Sequence, residues 1–371
     1  MSTTKVQRFG IRMEAMVTRS GQVNMADVAR HAGVSTGTVS RALRNLPGVS
    51  DDTRKMIKEK ADELSYVVSP EASRLSRGST GRVALVVPRL HVWFYAAMVS
   101  SLEHELRSAD LDVLIYQVDG EVERNRFFAD LPARRKVDAV VLVALPVLKD
   151  EAERLDIMGA EVVVAGGRIR DYPHVEVDDH AIGRTATQHL VDLGHRRIAM
   201  IRTSDSEGTY WSSDSERTQG FKAVMAEAGL AVEPDYVVVE PYAIDSGKRA
   251  MRRLLGLETP PTAVFAYSDE LAIGALRALQ EEGISVPGQV SLVGVDGHPT
   301  AELFGITSVD QAVATQGRLA GRLVLDLLGR SAPGPREISA EFRLEVRTTT
   351  GPPPGKDPSP RRRRQRASAP H

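Results

Sequence analysis

The sequence predicts an α/β protein in which a small all-α domain precedes a two-lobed domain built on doubly wound parallel sheets. Three short helical segments lie within residues 24–64, and strand-like and helical segments alternate from Val83 onward. The alternating region spans about 270 residues, which is too long for one open sheet of ordinary size. We therefore expect two lobes, each with its own parallel sheet covered by helices on both faces.

The chain of 371 residues divides into five predicted parts. Helical periodicity begins at Asn24, and polar or Pro- and Arg-rich stretches separate the patterned regions. The parts are a disordered leader (1–22), a helical headpiece (23–68), a hinge (69–80), the two-lobed domain (81–349) and a disordered basic tail (350–371).

Charge is distributed unevenly, although the formal net charge is only −1. Residues 1–80 carry 13 Lys and Arg against 8 Asp and Glu, residues 351–371 carry 6 against 1, and the part between carries 29 against 40. Basic ends on an acidic body suggest that an end of the chain meets a polyanion, although charge also varies along chains without such a role.

The composition also bears on the compartment. The sequence contains no Cys, which excludes disulfides and thiolate metal sites and fits a reducing cytosol. No apolar run is long enough to span a bilayer, and the first residues contain no signal-peptide core. We expect a cytoplasmic protein with no membrane contact, no cofactor and no metal.

Residues 27–43 have the pattern of a helix-turn-helix. Ala29 is small where a second helix must cross closely, and Gly33 can adopt a turn conformation that a Cβ disfavours. Val39 fills the angle between the helices, and Ser35 caps the second one. Because all four requirements are met at the right spacing, we expect the start of the second helix to reach base edges in the major groove of DNA.

These residues resemble the headpiece of the lactose-repressor (LacI) family. The resemblance continues through the connector, at Arg74-Leu75, Gly78 and Thr80-Gly81, and along the α/β region to about Arg347. In the headpiece it is carried by Asp27-Val28-Ala29, Ala32-Gly33-Val34-Ser35, Thr38-Val39-Ser40-Arg41, Val49-Ser50 and Thr53-Arg54.

The resemblance implies that Thr36, Gly37 and Arg41 read bases, with Arg41 placed for a bidentate contact to guanine. Gly37 departs from the family, in which many members carry a longer side chain there, and glycine can read nothing directly. The base pair opposite Gly37 is therefore the uncertain part of the predicted operator preference.

Phosphate contacts are implied for Ser35, Thr38, Ser40 and Asn45; such contacts position the protein without specifying sequence. Leu75 matches the hinge leucine that family members wedge into the minor groove, which bends the duplex. The alternative is a simple linker with an incidental leucine.

The α/β region resembles type I periplasmic sugar-binding proteins, which implies a ligand in the cleft between the lobes, at the carboxyl ends of the strands. Arg217 and Asp296 match family ligand residues, although Arg217 could instead form an interlobe salt bridge and Asp296 could be a turn residue. Residues 93–95 are expected in a loop after the first strand, before a helix over residues 96–108. The predicted effector contacts are Trp93, Phe94, Tyr95, Arg217, Asp269 and Asp296.

Together these features predict a homodimeric, sequence-specific DNA-binding transcriptional regulator on a pseudo-palindromic operator. Repression is the family default, and a small molecule, with a sugar favoured, would control DNA affinity allosterically. The alternatives are a nucleobase or protein co-regulator in the same role and, more remotely, a solute-binding protein. An enzyme is disfavoured, because the G-x-S-x-G match at residues 33–37 follows a helix and not the strand that a nucleophile elbow needs.

Overall fold

The computed structural model describes residues 23–66, 79–204 and 212–355. Its contacts divide the chain into two compact units, residues 1–79 and 80–371, which are described separately.

The first unit is a bundle of three short helices. The N-cap residues Asn24, Ser35 and Ser50 each accept a hydrogen bond from a backbone N–H in the first turn of the helix that follows, as predicted for Ser35. The helices are α1 (Met25–Ala32), α2 (Thr36–Leu43) and α3 (Asp51–Glu63).

The headpiece core is small and apolar. Val28, Val39 and Ile57, one from each helix, are fully buried against one another. Gly33 ends α1 with a φ of +65°, a left-handed conformation that strains residues with a Cβ. The helix-turn-helix prediction is confirmed in its geometry, since Val39 occupies the angle between α1 and α2.

The second unit contains two lobes, as predicted. The N-terminal lobe has a six-stranded parallel sheet in the order β11-β5-β4-β3-β1-β2. Its elements are β1 (Arg82–Val87), α4 (Trp93–Arg107), β2 (Asp112–Gln117), α5 (Gly120–Asp130), β3 (Ala139–Val143), α6 (Lys149–Asp156), β4 (Glu161–Ala165), β5 (His174–Glu176), and, from later in the chain, α12 (Val313–Leu327) and β11 (Glu337–Ser339).

The C-terminal lobe has a sheet in the order β12-β10-β9-β8-β6-β7, in which only β12 runs antiparallel to its neighbour. Its elements are α7 (Asp179–Asp192), β6 (Ile198–Ser204), α8 (Ser212–Glu227), a 3-10 turn (Pro234–Tyr236), β7 (Val237–Pro241), α9 (Ile244–Leu255), β8 (Ala263–Ala266), α10 (Asp269–Glu281), β9 (Ser291–Val295), α11 (Pro299–Leu303), β10 (Thr307–Asp310) and β12 (Arg343–Glu345).

The chain crosses between the lobes three times, after β5, after β10 and after β11. Apolar clusters cover both faces of each sheet, so the central strands are buried on both sides. This explains why β1, β3 and β9 read in the sequence as continuous apolar runs without alternation. The lobes are thus joined by short segments, and the carboxyl ends of their strands meet at the interlobe cleft.

Helices α9 and α10 pack unusually closely, and this packing yields a stability prediction. A Cβ at Gly274 would lie 1.8 Å from the carbonyl oxygen of Ile244, a backbone atom that cannot rotate away. We expect Gly274→Ala to lower the free energy of unfolding by about 1–3 kcal/mol through overpacking, measured by urea titration of the helical circular dichroism.

Gly256→Ala is the matched control. Gly256 has a φ of −77°, and a Cβ there would lie 3.5 Å from its nearest neighbour, the Arg253 carbonyl oxygen. This variant should unfold at the wild-type urea concentration or slightly above it. Equal midpoints for the two variants would contradict the close-packing explanation.

Candidate functional site

Helix α2 presents the residues expected to read DNA. Thr36, Gly37 and Arg41 are all exposed, as groups that reach base edges must be. The Arg41 guanidinium makes no hydrogen bond or ion pair within the described residues, so its donors are available to a guanine edge. Gly37 leaves a gap on this surface between its neighbours.

Polar groups around the start of α2 are arranged for phosphate contact. The Ser35 hydroxyl accepts a hydrogen bond from the Thr38 backbone N–H (3.1 Å) and also bonds the Thr38 hydroxyl (2.9 Å). Ser35 is exposed, and Ser40 is half-buried one turn further along. The helix N-terminus itself favours a phosphate group.

The C-terminal end of α2 is fastened by Arg54, a residue that sequence reasoning noted only as part of the family pattern. Its guanidinium donates to the carbonyl oxygens of Ala42 (3.2 Å) and Leu46 (3.0 Å). The side-chain oxygen of Asn45 accepts a hydrogen bond from the Lys58 ammonium (3.1 Å). The Asn45 amide nitrogen is therefore the group that could donate to a phosphate. Lys58 thereby places an exposed positive charge beside Asn45.

The hinge prediction centres on Leu75, which lies outside the described residues. The structure therefore adds nothing to the prediction that Leu75 enters the minor groove.

A cleft of about 590 Å³, measured out to its mouth, lies between the two lobes at the carboxyl ends of their strands. Only about 50 Å³ of this space could hold water-sized molecules, so the side chains that line the cleft fill most of it. The N-terminal lobe and the crossovers contribute Arg89, Val92, Phe94, Tyr95, Ala144, Gly166, Val177, Gln311 and Gln316, and the C-terminal lobe contributes Asp179, Ser213, Arg217, Tyr242, Tyr267 and Asp296.

Arg217 is buried in this cleft and held on two sides. Its Nε donates to Asp179 (2.8 Å), its Nη1 donates to the Tyr267 carbonyl oxygen (2.8 Å), and its guanidinium carbon lies 4.6 Å from the centre of the Tyr267 ring. Burial lowers the pKa of Arg217, because it disfavours the charged form. Nearby Asp179, Tyr267 and Asp296 raise the pKa by a larger amount, so it lies above its ordinary value. Arg217 thus offers a fixed fork of N–H donors to a ligand.

Asp296 lies across the cleft, with a φ of +125° that is strained for a residue with a Cβ. Only 4% of it is exposed, and one carboxylate oxygen accepts a hydrogen bond from the Gln311 side chain (2.5 Å). Burial raises the pKa of Asp296 well above its ordinary value, although Arg217 opposes this. A ligand hydroxyl donating to this carboxylate would favour its ionised form.

Gln316 is fully buried at the start of α12, and its amide is oriented by one contact. Its nitrogen donates to the Gln311 carbonyl oxygen (2.7 Å), so its oxygen must point the other way. That oxygen has no hydrogen-bond partner among the described residues. An unpartnered buried acceptor is costly, so this oxygen is available to accept a hydrogen bond from a group that enters the cleft.

Aromatic rings complete the walls of the cleft, two from each lobe. Phe94 and Tyr95 meet edge to face with centres 5.2 Å apart, and Tyr242 and Tyr267 do so at 6.4 Å. Burial raises the pKa of Tyr95 and Tyr267 well beyond the usual range, so their hydroxyls stay protonated. These side chains offer both apolar faces and hydrogen-bonding hydroxyls.

Comparison with known proteins identifies the family. Residues 24–69 match the bacterial regulatory proteins of the lacI family, and residues 187–350 match the periplasmic binding protein-like domain. The HTH-type transcriptional regulator DegA of Bacillus subtilis is 30% identical over 337 residues, covering 88% of this chain and 97% of that protein. This chain belongs to the LacI family.

Solved structures agree with this assignment. This LacI-family chain resembles the transcriptional regulator CelR in complex with cellobiose at 33% identity, with a TM-score of 0.64, covering 88% of this chain and 99% of that one. It shares its fold with the lac repressor dimer bound to operator and the anti-inducer ONPF, at 22% identity and a TM-score of 0.76, covering 89% and 99%. The protein is therefore a DNA-binding transcriptional regulator under ligand control, as the sequence predicted.

Two predicted effector contacts of this LacI-family regulator lie elsewhere. The Trp93 ring packs at a tilt against the His298 ring, with ring centres 4.7 Å apart, and lines a separate cavity beside the crossovers. Helix α4 begins at Trp93 and not at residue 96, and successive side chains on a helix point about 100° apart. Consequently Phe94 and Tyr95 line the cleft, whereas Trp93 does not.

Asp269 also lies outside the cleft lining. It is fully buried behind Asp296, where one oxygen accepts from the His298 backbone N–H (2.8 Å) and the Ser308 hydroxyl (2.9 Å). Its other oxygen has no hydrogen-bond partner among the described residues. Burial raises the pKa of Asp269 to about 7. Through the His298 N–H, Asp269 therefore fixes the turn that follows Asp296.

Sequence reasoning missed several residues of the cleft. Tyr242 and Tyr267 directly follow strands, so the strand-end rule that selected Asp296 could have found them. Gln311 and Gln316 follow β10, a four-residue strand that the sequence did not reveal, so no local signal pointed to them.

Within residues 23–66, 79–204 and 212–355, no helix is both long and apolar enough to cross a membrane. In the same part of the chain, no three His, Asp or Glu side chains are placed to hold a metal ion together.

Proposed function

We propose that this regulator is a repressor whose affinity for operator DNA is set by a neutral sugar bound between its lobes. The main support for this proposal is the pairing of the charged side chains in the cleft. Arg217 is already paired with Asp179 at 2.8 Å and Arg89 with Asp119 at 3.3 Å, whereas Asp296 has no cationic partner within 4 Å in the part of the chain that the structure describes. Among the described residues that line the cleft, both arginines are thus already paired, so neither is left to compensate a phosphate or carboxylate on the ligand.

The remaining hydrogen-bonding groups favour hydroxyls. Asp296 and Gln316 offer acceptors, and Arg217 offers donors, which suits groups that both donate and accept. The aromatic rings offer flat faces to the apolar side of a sugar ring. A neighbouring structure at 33% identity contains cellobiose, which supports a sugar for this chain too. Asp269 would then act by positioning Asp296.

A nucleobase is the second candidate, because the four rings of the cleft would also stack on a planar heterocycle. A thermal-shift panel of glucose, cellobiose, glucose 6-phosphate, adenine and guanine separates these classes. A ligand at 100 times its Kd stabilises the folded state by about 2.7 kcal/mol. We expect a Tm increase with a neutral sugar that Gln316→Ala reduces. A Tm increase with only a purine or only the phosphorylated sugar would refute the proposed effector class.

On the DNA side, the proposed reader is α2, with Thr36 and Arg41 toward bases and Ser35, Thr38, Ser40 and Asn45 toward phosphates. Arg41 is the strongest candidate, because it is exposed and its guanidinium has no acceptor within the described residues. We further propose that Leu75 wedges into the minor groove and relays lobe closure to the headpieces. A protein that binds genomic DNA would act in the cytoplasm, and we expect it to have no catalytic activity.

The proposed dimer makes a separate prediction. Leu303 is 81% exposed and the adjacent Phe304 is 50% exposed, which is unusual for large apolar side chains in neighbouring positions. A repressor of the same fold is a dimer, which supports a second copy as the partner that covers them. Leu303→Asp should shift the protein from dimer to monomer in sedimentation velocity runs at micromolar concentration.

Val122→Asp is the control for that experiment. Val122 is 78% exposed on α5, without an exposed apolar neighbour in sequence. This variant should sediment as the wild type does. A Leu303→Asp protein that remains dimeric would show that the second copy binds elsewhere.

A further inference from the structure

The start of helix α4 is capped by the opposite lobe. Its N-cap residue, Val92, has no side chain that could accept a hydrogen bond from the first turn. The Trp93 backbone N–H, the first of the helix, instead donates to the carboxylate of Glu270 at 3.1 Å. Glu270 lies in the first turn of α10 in the C-terminal lobe, 177 residues away in sequence.

This arrangement satisfies two groups at once. The first N–H groups of a helix lack partners within the helix, and the helix dipole favours a negative charge there. Glu270 is half-buried, and burial raises its pKa, while the Trp93 N–H and the nearby His91 oppose that rise. If the lobes separated, the end of α4 and the carboxylate would both lose this contact.

The Trp93 ring makes a second contact across the same gap. It lies against the imidazole of His298, which follows β9 in the C-terminal lobe. His298 is held by its own contacts, because its Nδ1 accepts from the Thr300 N–H (2.9 Å) and its backbone N–H donates to Asp269. One residue of α4 is therefore fixed to two separate elements of the other lobe.

We propose that Glu270 and His298 form an interlobe latch on Trp93, and that Glu270 is a positioning residue that holds the lobes closed. Neither Glu270 nor His298 lines the effector cleft. Phe94 and Tyr95 follow Trp93 on the same helical turn, so the latch sets where these rings stand in the cleft. The latch acts in the absence of any effector and is independent of the effector's identity.

The test is a distance measurement between the lobes of the full chain, without ligand. The protein contains no Cys, so Arg126→Cys on α5 and Glu258→Cys after α9 allow specific spin labelling at two exposed positions. The labelled protein is mixed with an excess of unlabelled protein, so that a dimer rarely contains two labelled chains and the measured distances lie within one chain. Double electron–electron resonance between the two spin labels then gives the distribution of interlobe distances.

We expect Glu270→Ala to lengthen and broaden the distances, raising the ratio of open to closed chains about tenfold or more, as befits a hydrogen bond to a charged group. Glu270→Gln keeps an acceptor without the charge and should fall between Glu270→Ala and the wild type. Trp93→Leu removes the ring contact but leaves the backbone N–H, so it should open the lobes partially.

Asp245→Ala is the matched control, because it removes a first-turn carboxylate from the neighbouring helix α9 whose one ion-pair partner among the described residues is Arg249 of the same helix. Its distances should equal those of the wild type. The latch is refuted if Glu270→Gln and Trp93→Leu both give the wild-type distribution, or if Asp245→Ala opens the lobes as much as Glu270→Ala does.

Discussion

Arg41→Ala should lower the affinity for a specific operator about ten- to hundredfold, the factor expected when a bidentate arginine–guanine contact worth about 1–3 kcal/mol is lost. Arg41 is exposed on α2, and its guanidinium is not engaged by any other described residue. The measurement is fluorescence anisotropy with a duplex that the wild-type protein selects from genomic fragments, compared with an unrelated duplex of equal length.

Arg30→Ala removes the same charge from the same headpiece and serves as the control. Arg30 lies on α1, where it pairs with Asp27 at 3.1 Å. Loss of the Arg30 charge should weaken binding to both duplexes slightly and equally, because a positive charge that contacts no base attracts the phosphates of any sequence. If Arg41→Ala also weakened both duplexes equally, Arg41 would be a phosphate contact and not a base reader.

Arg217→Ala should reduce effector affinity about thirtyfold or more and make operator binding insensitive to the effector. The substitution removes the donors offered to the ligand and leaves Asp179 without its cationic partner in the cleft. Breaking one side of a buried charge pair costs about 2–5 kcal/mol. Isothermal titration with the sugar that stabilises the protein in the thermal-shift panel measures the loss.

Two further variants make the result specific. Arg184→Ala breaks a more exposed pair with Glu227 on the same lobe and should leave effector binding unchanged. Arg217→Lys keeps a positive charge but cannot reproduce the two fixed hydrogen bonds to Asp179 and Tyr267, so it should recover only part of the affinity. Full recovery with Lys would mean that charge alone matters at this position.

The headpiece was predictable because its signals are local. Caps at Asn24, Ser35 and Ser50 and the turn at Gly33 each depend on residues within four positions, so reading the chain in order is sufficient. The alternation of apolar strands and amphipathic helices likewise predicted two parallel-sheet lobes, since buried central strands are continuous apolar runs.

The parts that the sequence did not reveal depend on distant residues. The start of α4 was predicted three residues late, because its cap is Glu270 from the other lobe. Strands β5, β10 and β11 have only three or four residues, too few for a clear pattern, so the crossovers and Gln316 were missed. Asp269 follows a strand as a ligand residue would, but its burial behind Asp296 is a property of the packed lobe.

The central claim is that a small molecule in the cleft sets the affinity for DNA, and thermodynamic linkage provides its most direct test. Operator affinity is measured by anisotropy at increasing concentrations of the stabilising sugar, and sugar affinity by calorimetry with and without operator. We predict that the sugar changes operator affinity at least about fivefold, and that operator changes sugar affinity by the same factor. A sugar that binds in the cleft while operator affinity stays constant would contradict the account.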